Sequence, residues 1–176
     1  MRALAVGLIV AAAVSGGAVA QQVCDGPPED RSSPSARFSD GADGTVTDKD
    51  TKLMWMRCSS GQSWSPEKCD GEPVALSWPL ALSAATAENR SGRMFFNDWR
   101  LPSVRELATI SERRCRNPRL NLSVFPDSPA RAYWSASLRP GSADESAAYV
   151  LDFGDAGVQL QPKESPNLVR LVRNAR

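Results

Sequence analysis

Apolar positions along the chain change spacing twice, and each change marks a change of element. From Arg37 onward, short β-prone runs alternate with turn clusters: Arg37-Phe38-Ser39, Asp40-Gly41-Ala42-Asp43-Gly44, Thr45-Val46-Thr47-Asp48 and Leu53-Met54-Trp55-Met56. Runs of that length separated by Asp-Gly and Asp/Lys/Thr turns predict a β-meander. In the middle of the chain the period becomes helical. Ser77 stands where an N-cap belongs, Pro79 is tolerated in a first turn, and Trp78, Ala81, Leu82 and Ala85 share a face before residues 89–92 end the element. A second helix is predicted from Ser103. There Ser103-Val104-Arg105-Glu106 forms a capping box, Val104, Leu107, Ala108 and Ile110 form the apolar stripe, and Arg113-Arg114-Cys115-Arg116 is the last turn before Pro118. The final third returns to strands at 133–137, 148–153, 158–161 and 168–172, with Gly154-Asp155-Ala156-Gly157 as a hairpin turn. Strands, two helices, then strands predict an α+β domain.

The pattern before Arg37 is of a different kind. Arg2, an apolar stretch over 3–14 and the small-residue run Ala18-Val19-Ala20 predict an export signal over 1–20, cleaved before Gln21. That stretch is shorter than the roughly 20 strongly apolar residues of a membrane span. The chain is therefore expected to be soluble after cleavage, and secreted or periplasmic. Residues 21–36, rich in Pro, Ser and charge, are expected to be an extended arm held only at Cys24. Residues 37–176 form the domain.

Cysteine parity strengthens the export reading. Cys24, Cys58, Cys69 and Cys115 allow three pairings, and an exported chain is expected to oxidise them. Cys58 and Cys69 flank a Gly/Ser/Pro-rich loop that can fold back on itself, so Cys58 is paired with Cys69 and, by elimination, Cys24 with Cys115. A four-cysteine zinc site is the weaker reading, because no C-x-x-C pair occurs.

Charge and residue chemistry then narrow the function. The chain has 21 Lys and Arg against 20 Asp and Glu, and Arg2 leaves with the signal, so the mature domain is formally neutral. Nucleic-acid binding is not expected, since it calls for a basic surface. The absence of histidine removes Ser-His and Cys-His nucleophile pairs and the usual zinc-hydrolase sites. No carboxylate pair stands out, and neither an enzyme, a cofactor nor a metal is expected. The run Asp40-x-x-Asp43-Gly44-x-x-x-Asp48 lacks EF-hand spacing and reads as a β-turn. Trp55, Trp99 and Trp134 are read as core packing ahead of ligand stacking.

One cluster remains. Arg113, Arg114, Arg116 and Arg119 fall within seven residues, and guanidinium forks match sulfate and phosphate. They are either an anion site or cations that offset the dipole at a helix C-terminus. Arg170, Arg173 and Arg176 extend the patch only if strand alternation turns them to the same side.

Phe38-x-Asp40, Asp43-Gly44-Thr45-Val46-Thr47-Asp48, Leu53-Met54-Trp55, Asp98-Trp99-Arg100-Leu101-Pro102, Glu106-Leu107, Tyr133-Trp134-Ser135-x-Ser137 and Val169-Arg170-Leu171-Val172-Arg173 occur in this order. Together they resemble the Lcl C-terminal domain family, named for the C-terminal domain of the Legionella collagen-like protein. The resemblance implies a compact C-type-lectin-like domain in which N- and C-terminal strands pair and two helices flank a small twisted antiparallel sheet, here stapled by disulfides. It also implies ligand binding or adhesion, because the namesake domain is an adhesin that recognises sulfated polysaccharides. A carbohydrate, anionic or sulfated, is thus the expected partner. The competing expectation is an assembly component of an envelope or pilus-like apparatus that binds an envelope protein. The Glu-Pro-Asn and Gln-Pro-Asp triplets of calcium-dependent lectins are absent, as is a cysteine pair beyond Cys115 of the kind sulfatase-activating oxidases use.

Overall fold

A computed structural model describes residues 21–92, 95–139 and 146–175; the signal read over 1–20, and Arg176, lie outside the described residues. In chain order come β1 (Val23–Cys24), β2 (Phe38–Asp40), β3 (Thr45–Asp48), β4 (Leu53–Met56), β5 (Ser63–Ser65), β6 (Lys68–Asp70), α1 (Trp78–Ser91), α2 (Val104–Thr109), β7 (Cys115–Arg116), β8 (Ala132–Trp134), β9 (Ala147–Asp152), β10 (Gly157–Pro162) and β11 (Val172–Asn174). The domain is α+β. Its strands pair antiparallel in small sheets of order β11-β4-β3-β2, β10-β9-β8, β5-β6 and β1-β7. Contrary to the pairing expected of a C-type-lectin-like domain, the last strand pairs with β4, and β2 occupies the other edge of that sheet.

The meander forms because its turns are held by carboxylates. Asp48 accepts the Asp50 amide at 3.0 Å and the Thr51 hydroxyl at 2.6 Å, and its two oxygens grip the Arg37 guanidinium. At the preceding turn, Asp43 Oδ1 accepts both the amide and the hydroxyl of Thr45. Gly44 is needed there twice over: its φ is +90°, and a Cβ would lie 2.7 Å from the Trp64 side chain.

Helix α1 runs as predicted from an extended Ser77 to Gly92 in the left-handed region, although the Ser77 side chain makes no capping bond. Ala81 and Ala85 are buried; Leu82 is exposed, so the apolar face is narrower than its sequence implied. Helix α2 carries the predicted box, with Ser103 Oγ accepting the Glu106 amide and Glu106 accepting the Ser103 amide at 2.7 Å. Arg100 reinforces it through two bonds to the same carboxylate. The helix ends at Thr109, a full turn and more before Arg116. Beyond it, β7 has to extend to pair with β1 at the Cys24–Cys115 bridge. Ala108, assigned to the apolar stripe, is exposed.

Both disulfides form as paired from the sequence, Cys24 with Cys115 and Cys58 with Cys69, and no cysteine is free. They fit a protein of an oxidising, extracellular environment. No helix among the described residues is long and apolar enough to cross a membrane.

The arm is held at far more than Cys24. Gln22 donates to the carbonyls of Pro118 and Leu120, and Asn121 donates to the Ser33 carbonyl. The main anchor is Glu112, which is fully buried and accepts the amides of Ser32, Ser33 and Arg114 and the Ser32 hydroxyl at 2.8–3.1 Å. Burial pushes the Glu112 carboxyl up, but these four donors outweigh it and the group titrates below its ordinary value. Because the folded carboxyl is the stronger acid, its contribution is complete above the unfolded value and is lost as pH falls through the folded one. The arm should therefore loosen as acid protonates that carboxyl. Amide exchange at Ser32 and Ser33, corrected for intrinsic rate, should accelerate in acid, and already at neutral pH in Glu112→Ala; wild-type protection in that variant would contradict the anchor.

Two apolar clusters make up the core. The first gathers Leu107 and Ile110 with Trp55, Phe125, Tyr133, Leu151, Phe153, Leu168 and Val172. The second gathers Ala81 and Ala85 with Trp99, Leu101, Trp134, Val150, Val169 and Leu171. Neighbours along β8, β9 and the 168–172 run thus alternate between clusters, as strand geometry dictates. Trp55, Trp99 and Trp134 are all at most 2% exposed, in keeping with core packing. Of the predicted 168–172 strand only Val172 lies within a strand, yet every residue over 167–173 is buried.

Candidate functional site

The arginine-rich segment crosses from the end of α2 into β7. Arg113, Arg114 and Arg116 are exposed, whereas Arg119 is half-buried, with its Nε enclosed and unbonded. The four are therefore not one display. Their setting also differs from a helix C-terminus, since α2 has no basic residue in its last turn and the cluster lies past it. The arm brings two carboxylates to the segment: Asp25 to Arg116 at 3.2 Å and Asp30 to Arg114 at 3.8 Å. All four of these side chains are about half exposed or more, so the pairs are worth at most about 1 kcal/mol each.

Among the described residues Arg113 has no carboxylate partner, and it is joined by a cation outside the sequence cluster. Arg105, on the outer face of α2, lines the same open cavity of about 560 Å³ as Arg113, together with Ser111 and the Arg37–Asp50 pair. Among the described residues, neither Arg105 nor Arg113 makes a salt bridge, and nothing bonds the Ser111 hydroxyl. The cavity is thus a concave, cation-rich surface with donors to spare. Sequence spacing hid Arg105 because the helix was read as running on to Arg116, which put the two arginines more than two turns apart.

Arg170 and Arg173 do not join this surface. Arg170 is wholly buried, and Arg173 is 2% exposed, bonded to Asp98 at 2.6 Å and lying 3.8 Å from the Phe96 ring centroid. Arg176 lies outside the described residues. In the run Asp40 to Asp48, Asp40 is held on Arg57 and Asp48 on Arg37, while Asp43 is tied to Thr45 through Oδ1 alone.

A second concavity separates α1 from the Cys58–Cys69 loop. It measures about 690 Å³ and has Met56, Leu76 and Leu171 as apolar lining and Trp64 on the loop side. Sequence reading missed it together with the β5-β6 hairpin that shapes it, although the Ser63-Trp64-Ser65 alternation was the available signal.

No curated protein matches the chain. The family model of the Lcl C-terminal domain matches residues 44–173, which takes in β3 through most of β11 and most of the lining of both concave surfaces, but not the arm, Arg37 or Asp43. With the greater part of its length covered, the chain belongs to the Lcl C-terminal domain family.

Proposed function

We propose that this domain is an exported ligand-binding module for adhesion, and that it recognises carbohydrate bearing anionic groups. The observation that carries the reading is the convergence of Arg105 and Arg113, both without a carboxylate partner among the described residues, on one open cavity. Membership of the family supports it, as do two disulfides suited to an extracellular setting. The C-type-lectin-like architecture belongs to the same proposal and rests on the family resemblance. Guanidinium groups take sulfate or carboxylate through paired donors, and a neutral domain attracts a polyanion only where cations stand clear of acids.

Heparin resin tests this. Arg105→Ser/Arg113→Ser should weaken retention about tenfold and flatten its salt dependence, while Asp25→Asn/Asp30→Asn should strengthen it by freeing Arg116 and Arg114. Unchanged retention of the arginine variant would remove the cavity as the site.

A second reading, a module that binds an envelope protein, has one observation in its favour. Strand β10 is the open edge of its sheet and carries Val158 and Leu160 exposed. Silence on glycan arrays together with co-purification of an envelope complex would favour it.

A further inference from the structure

Helix α1 has a second working face. Ala81 and Ala85 enter the core, whereas Ala84, Ala87, Glu88 and Ser91, spaced i, i+3, i+4, i+7, line the 690 Å³ cleft. The small side chains of Ala84 and Ala87 leave its volume open, and that volume lies within the usual range for small-molecule sites. Across from them Trp64 is set in place before any ligand arrives. Gly44 leaves room for its side chain, and the Arg57 guanidinium lies 4.3 Å from its ring centroid. Arg57 is itself held by Asp40 and by the carbonyls of Ser123 and Val124. The loop bearing Trp64 is closed by the Cys58–Cys69 bridge and braced by Gln62, which accepts the Ser59 amide and donates to the Gly71 carbonyl.

The polar groups of this cleft select against the ligand proposed for the arginine cavity. Among the described residues, the charged ones that line it are Asp43 and Glu88, both acidic, and no basic side chain lines it. Asp43 Oδ1 is engaged by Thr45, but among the described residues nothing donates to Oδ2 and nothing bonds the Ser60 and Ser63 hydroxyls. An indole and aliphatic lining suits the C–H face of a sugar ring, and the carboxylate oxygen and hydroxyls suit its hydroxyl groups. We infer that the cleft between α1 and the Cys58–Cys69 loop is a separate binding site for an uncharged saccharide. It shares no residue with the arginine cavity, so the two sites stand or fall apart.

The experiment is a glycan array of uncharged and sulfated oligosaccharides probed with the mature, disulfide-bonded protein. At least one uncharged glycan should be retained, with an affinity that does not change between about 0.05 and about 0.5 M salt. Ala87→Phe fills the cleft from an exposed helix position and should weaken that glycan about tenfold or more with an unchanged circular dichroism spectrum. Trp64→Ala should do the same, and Arg105→Ser/Arg113→Ser should leave it unaffected. The inference is overturned if wild type retains only sulfated glycans, if folded Ala87→Phe binds the uncharged glycan as wild type does, or if the arginine variant abolishes that binding.

Discussion

Replacing Arg170 by Met should lower folding stability by about 3 kcal/mol, even though the substitution removes a buried charge rather than adding one. Arg170 is fully buried, and no carboxylate among the described residues pairs with it. Burial pushes its guanidinium down from the ordinary value, with the Tyr133 hydroxyl working against that shift. Its charge is spread instead over acceptors that cannot leave. Nη1 donates to the carbonyls of Met56, at 2.8 Å, and Arg57, while Nη2 donates to Ser128 Oγ at 2.7 Å. The rings of Phe125 and Tyr133 lie 4.8 and 5.7 Å from its centre. Swapping a buried ion pair for apolar residues is often harmless because both partners go. Here the carbonyls of Met56 and Arg57 at the end of β4 remain, and each unpaired group costs about 1–3 kcal/mol, partly offset by the desolvation that is relieved. Urea denaturation would read the loss as a lower midpoint at unchanged slope, and a midpoint equal to wild type would contradict the role assigned to Arg170.

The Cys24→Ser/Cys115→Ser variant should lose about 4 kcal/mol, and Cys58→Ser/Cys69→Ser about 3. The first bridge closes 91 residues and the second 11, and the longer loop withdraws more freedom from the unfolded chain. Equal losses, or the reverse order, would count against that entropic account. A second consequence separates the two variants. Opening the Cys24 bridge leaves residues 21–31 held chiefly by the Gln22 bonds and the short β1-β7 pairing, and so loosens the hold of Asp25 and Asp30 on Arg116 and Arg114. The less stable protein should consequently bind heparin more tightly at temperatures where it remains folded.

What could be read from the sequence was local. The Asp-Gly turns, the box at Ser103 and Glu106, and the left-handed stop at Gly92 are each decided within a few residues, and each stands where it was expected. The disulfide pairing was legible for the same reason, since Cys58 and Cys69 bracket a loop able to turn. The fate of the arginines was not. Charge in a sequence reads as solvated surface, yet Arg57, Arg170 and Arg173 are buried because carbonyls, rings and carboxylates from distant segments meet them. Helix α2 was read too long because its apolar stripe continues past Thr109, and nothing nearby announces that β7 must lie flat against β1. The candidate site suffered from both effects. Spacing points to Arg113 but not to Arg105, and the direction of Arg119 beyond Pro118, which leaves it half-buried, is not legible in the sequence.

The alternation along β8, β9 and residues 168–172 determines how the domain comes apart. Tyr133 and Trp134, Val150 and Leu151, and Leu168 and Val169 are adjacent pairs whose members enter different clusters. The two clusters therefore share the same three stretches of backbone. Melting either layer drags those stretches away from the other, so α1 and α2 belong to one cooperative unit rather than two. Partial opening is left to elements outside the shared backbone, chiefly the arm. Asp25 and Asp30 ride on it, so the acids that bear on Arg116 and Arg114 can withdraw while the rest of the domain, the braced Trp64 loop included, stays folded.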